Sequence, residues 1–214
     1  MSLDATLDLL APHADRLRVV AVVGEDRETT VRHLRRRCAQ LYLPLAVTFP
    51  DPKLPESTGA VLSAEAWFGP ATLVLLADQV LHHGDPRAVA ELLDLVHGGA
   101  EVAWLTAAES DPARLAVDGA LLLQPDAEGV SRVVDYADKP GLSRAGDFNA
   151  VWFGYAFART AADAVLNVLD GATLRRPPDG TGLGLLHRSP AVDVGPFADL
   201  GTWPAVTSWW RDER

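Results

Sequence analysis

Asp78 closes the apolar run TLVLLAD, and Asp199 sits in PFADLGTW; each follows an aliphatic approach and precedes a small or polar turn. A carboxylate at the end of an apolar strand is costly if buried but useful if it faces a cleft at the carboxyl edge of an open sheet. Two such acids from separate strand ends could share one divalent cation, because Mg²⁺ is commonly held by one or two carboxylates together with substrate phosphates. Taken singly, each Asp reads first as an N-cap or turn former, so the chemistry depends on what the fold brings together.

The other reactive side chains give weaker patterns. Arg35, Arg36 and Arg37 read as a solvated helix face, whereas Arg175 and Arg176 lie in a Gly/Pro-rich segment where a phosphate contact is conceivable. His82 and His83 are adjacent and so point apart, which favours surface histidines over a metal pair. GTGLG at 180–184 has a dinucleotide-like spacing but follows no strand and opens no helix, so it is discounted. Trp209 and Trp210 are expected to cap the core or an oligomer contact.

These residues need elements to hold them. Leu3, Leu7 and Leu10 predict a first helix, RLRVVAVVGED a buried strand, residues 28–41 a helix with Val31, Leu34, Cys38 and Leu41 on one face, and 43–49 a second strand. A loop follows at PDPKLPEST, then a short helix over GAVLSAEAWF, a strand over TLVLLAD, a helix with Asp85 as N-cap and Pro86 at its first position, and a strand over EVAWLTAA. This alternation argues a parallel sheet covered by helices. Farther on, ALLLQPDAEGVSRVVDYAD predicts two strands around a turn, FNAVWFGYAFAR a further strand and TAADAVLNVLD a helix, so the sheet is expected to become mixed.

Composition sets the outer bounds. A chain of 214 residues, 48% hydrophobic, reads as one domain over 1–214. Its formal charge of -10 would repel nucleic acid at long range. The lone cysteine, Cys38, cannot form an intrachain disulfide and reads as an ordinary thiol. The first residues show no basic leader and no run is long enough to span a membrane, so a cytoplasmic protein without a membrane partner is expected.

In this order the motifs resemble those of the sugar-1-phosphate nucleotidyltransferases, the pyrophosphorylases that make nucleotide sugars. LLADQVLHHG is similar to that family's metal-binding Gly-Asp-Asn segment, YADKPG to its Glu-Lys-Pro motif, NAVWFGYAFAR to its Thr-Gly-x-Tyr strand and FADLGTW to its Trp-x-Asp-x-Gly-Thr motif. The resemblance implies a three-layer α/β/α Rossmann-like nucleotidyltransferase fold with a mixed, mainly parallel sheet. It implies Mg²⁺ on Asp78 and Asp199, a sugar phosphate at Asp138 and Lys139, and backbone contacts at Gly59 and Gly154. Asp138 stands where the family has Glu, and Phe197 where it has Trp.

The family opens with a strand running into a Gly-rich triphosphate loop and a Pro-Lys pair, and this sequence contains neither. On that reading the enzyme is expected to be degenerate, since the loop's backbone amides supply anion binding that acidic side chains cannot. A non-catalytic subunit that binds sugar nucleotides is the alternative. Without that first strand, neighbouring strand edges are expected to lie open, to be covered by another segment or by a second copy in a homo-oligomer.

Overall fold

The computed structural model describes residues 2–54, 56–173, 186–201, 206, 207 and 209, with Glu56 and residues 170–173 described by their backbone alone. Helix α1 (Ser2–Leu10) leads through a short 3₁₀ turn into β1 (Val19–Val22), α2 (Glu28–Gln40) and β2 (Leu45–Thr48). Then come α3 (Glu56–Leu62), β3 (Ala71–Leu75), β4 (Gln79–Leu81), α4 (Pro86–His97), β5 (Val102–Ala108) and α5 (Pro112–Leu115). The remainder is β6 (Gly119–Pro125), β7 (Ser131–Asp138), β8 (Ala150–Ala158), α6 (Ala162–Thr173), β9 (Ala191–Asp193) and β10 (Phe197–Asp199). Asp85 caps α4 as predicted, its carboxylate accepting the Arg87 amide at 2.9 Å.

The sheet is mixed. Strand β8 is its organiser: β5 pairs along its whole length, while β6 and β3 share its other edge, and all three run antiparallel to it. β9 continues parallel to β5, and β7 adds antiparallel to β6. β3, β5, β6 and β9 therefore point one way, which is the directional bias read from the βα alternation. β7 and β8 run the opposite way, and β8 is inserted between β3 and β5, so most neighbouring pairs of this sheet are antiparallel, a placement that alternation alone does not reveal. Phe153 is passed over between the pairs Leu105↔Gly154 and Thr106↔Trp152, and this bulge shifts which side chains of β8 face each side of the sheet.

One face of the sheet packs on α4 through Val89, Leu92, Leu105, Phe153 and Phe197. The other packs on α6 through Trp104, Tyr155, Phe157 and Val165. β1 and β2 form a separate parallel pair, whose own core holds Leu7, Leu34 and Cys38. Among the described strands β1 pairs only with β2 and β3 only with β8, so no described strand lies along the other edge of either. α1 joins the two bodies, with Leu7 in the smaller core and Leu9, nearly opposite on the helix, in the larger. Of the three consecutive arginines, Arg35 and Arg36 are exposed, but Arg37 pairs with Asp4 and Asp8 and fastens α2 to α1.

Candidate functional site: two acids behind a glycine

Asp78 lies in the turn between β3 and β4, and Asp199 is the last residue of β10. The short antiparallel ladder of β4 with β10 brings them together: Gln79 is the register partner of Asp199, and the Leu200 amide donates to the Asp78 carbonyl at 2.8 Å. Both carboxylates turn toward Gly201. A side chain there would begin 2.9 Å from Asp199 Oδ1 and 3.4 Å from Asp78 Oδ2, so the glycine leaves the space between them open. The Gly201 amide donates to Asp199 Oδ1 at 2.7 Å and fixes that carboxylate's direction.

Partial burial, with the neighbouring charge of Asp199 second, pushes the Asp78 carboxyl above the usual carboxylate range. Like charges held this close are unfavourable until a cation lies between them. Two hard oxygen donors and a side-chain-free notch therefore fit a divalent ion that keeps most of its coordination for water and phosphate. Among the described residues no cluster of three or more His, Cys, Asp and Glu side chains could make a closed protein cage.

Behind Asp199 lies a group that the sequence reading did not single out. Arg114 reaches Asp118 Oδ2 and Glu109 Oε2, each at 3.2 Å, and the Phe197 carbonyl at 2.9 Å, while its guanidinium stacks 4.6 Å from the Phe197 ring centre. Burial is the main reason that the Asp118 carboxyl also titrates high; Arg114 opposes the shift, and the charges of Asp199 and Glu109 add to it. The signal was present in ESDPARLAVDG, where Asp111 caps a Pro-initiated helix just past the carboxyl end of β5 and Arg114 and Asp118 stand four apart.

The DKPG turn is held by the same segment. Lys139 takes a left-handed conformation, φ 48°, and its amide donates to the Asp118 carbonyl at 3.0 Å, while the Gly141 amide donates to the Ala116 carbonyl at 3.0 Å. Asp138 is the register partner of Gly119 at the end of β7. The Lys139 side chain is exposed and forms no ion pair with a described residue.

The chain can be set beside a UDP-glucose pyrophosphorylase in complex with UDP-glucose at a TM-score of 0.74, with 15% identity, over 100% of this chain and 87% of that one. The fold is that of the sugar-1-phosphate nucleotidyltransferases. A UTP-bound UGPase from Acinetobacter baumannii matches at 0.70 and 12% identity, over 99% and 81% of the two chains. A mannose-1-phosphate geranyltransferase from Thermus thermophilus matches at 0.65 and 24%, over 98% and 69%. No protein-family model matches the sequence, and no curated protein does.

Within the nucleotidyltransferase fold the other expected positions are placed as follows. Gly59 lies in α3 and is buried; a Cβ there would meet the Leu54 carbonyl oxygen at 2.2 Å. Gly154 is buried in β8, where a Cβ would lie 2.6 Å from Leu75 Cδ2 and 2.8 Å from the Val74 carbonyl. Packing against protein thus accounts for the missing side chain at both. His82 and His83 are exposed, as predicted, and the His82 ring lies 4.7 Å from that of Trp209. Arg175, Arg176, residues 180–184, Thr202 and Trp210 lie outside the described residues.

Proposed function

We propose that this chain is a sugar-1-phosphate nucleotidyltransferase-like protein, shaped for the reaction that makes a nucleotide sugar from a nucleoside triphosphate and a sugar 1-phosphate and weakened by the absence of the Gly-rich loop from its sequence. The observation that carries the reading is the convergence of Asp78 and Asp199 on the notch at Gly201. In the reaction a phosphate oxygen of the sugar phosphate bonds to the α-phosphorus. The bond from that phosphorus to the bridging oxygen breaks, and pyrophosphate leaves with the electron pair. The two aspartates would hold Mg²⁺, which when bound spreads the charge developing on the phosphates.

Lys139, held by its backbone and with an uncommitted ammonium group, neutralises the incoming sugar phosphate, and Asp138 accepts hydrogen bonds from sugar hydroxyls. Gly59 and Gly154 have their side-chain faces filled by protein, so they can offer a base or a sugar only main-chain atoms.

The test is pyrophosphate release from a panel of triphosphates and sugar 1-phosphates with Mg²⁺. Because the sequence carries no Gly-rich triphosphate loop, turnover with at least one pair is expected to be slow, and Asp78→Asn or Asp199→Asn should reduce it roughly a hundredfold, the scale of removing one preorganised charge-stabilising group. Intact, folded protein that releases none with any pair would overturn the enzymatic reading. Saturable binding of a nucleotide sugar without turnover would favour the non-catalytic subunit.

A further inference from the structure

We propose that Arg114 is a positioning residue that couples the cation-binding side of the site to its sugar-phosphate side; this rests on the reading of the two sides given above. Toward the cation side, its guanidinium donates to the Phe197 carbonyl at 2.9 Å and covers the Phe197 ring. Phe197 begins β10 two residues before Asp199, so the contact fixes the short strand that carries the acid. Toward the sugar-phosphate side, Arg114 holds the Asp118 carboxylate at 3.2 Å. The carbonyls of Asp118 and Ala116 in turn accept the amides of Lys139 and Gly141. A left-handed φ at a non-glycine residue is unfavourable on its own, and these bonds offset that cost at Lys139. Residues 114–118 are therefore one body with β10 on one side and the DKPG turn on the other.

The residue type suits the task. A planar fork with five donors can serve Glu109, Asp118 and a carbonyl in diverging directions, which a compact ammonium cannot. The pairs are also shielded: the Arg114, Glu109 and Asp118 side chains are 27%, 15% and 23% exposed, whereas the partners in Arg16–Asp94 are 43% and 65% exposed. That exposed pair provides the control.

The experiment compares wild type, Arg114→Met and Arg16→Met by titration with Mn²⁺ and by amide hydrogen exchange. In Arg114→Met, Mn²⁺ affinity is expected to fall about tenfold or more, the usual effect of losing a residue that orients a metal ligand. Exchange should accelerate together in residues 138–141 and 197–201 and stay unchanged along β5; Arg16→Met should do neither. Unchanged Mn²⁺ affinity, acceleration in only one of the two segments, or a uniform loss of protection would overturn the proposal. If Arg114→Met does not fold, Arg114→Lys keeps the cation but not the fork, and the same two readings decide. Wild-type protein that binds no Mn²⁺ would remove the cation site on which the proposed function rests, while the exchange pattern would still decide the coupling.

Discussion

Asp78 titrates above the ordinary carboxylate value, so the folded chain holds its proton more tightly than the unfolded chain does. In the cation-free protein the ionised Asp78 therefore opposes folding. This cost is fully present above the raised folded value and is relieved as the pH falls from there toward the unfolded value of about 3.9. Asp78→Asn is expected to raise the neutral-pH melting temperature of the cation-free protein and to abolish the further rise that Mn²⁺ gives wild type; calorimetry with and without the ion measures both. Gly201→Ala places a methyl 2.9 Å from Asp199 Oδ1, so it should weaken Mn²⁺ binding with little change in the fold, and the same titration reads it. The two acids were legible because each ends an apolar run. For Arg114 and Asp118 only the local spacing was legible and not its meaning, since the contact that supplies it, to Phe197, crosses 83 residues of sequence.

At the scale of elements, Gly154 decides how closely β3 and β8 lie. A Cβ would meet Val74's carbonyl, part of the backbone, at 2.8 Å, so Gly154→Ala must push β3 away and is expected to cost about 1 to 3 kcal/mol, the range for overpacking; urea unfolding measures it. The long amphipathic helices and the apolar strands were readable from their periods, because burial of one face is a local pattern. β4 reads as a turn in the sequence: three residues long, it gains its ladder only from β10, far along the chain. The insertion of β8 between β3 and β5 was hidden for the same reason, since strand order is not written in any one strand.

Across the whole molecule, two cores share one helix. Leu7, 2% exposed, belongs to the smaller, and Leu92, fully buried, to the larger. Truncating either to Ala should cost roughly 2 to 5 kcal/mol. The effects are expected to separate in native-state hydrogen exchange, Leu7→Ala loosening β1, β2 and α2 first, and Leu92→Ala loosening α4 and β5. Cys38 adds something to this division. It is the chain's only thiol, it sits in the smaller core at 1% exposure, and burial pushes its pKa up. An alkylating reagent can reach it only when that core opens. The protein thus carries a native clock for its smaller core, timed by a single reaction and needing no engineered label.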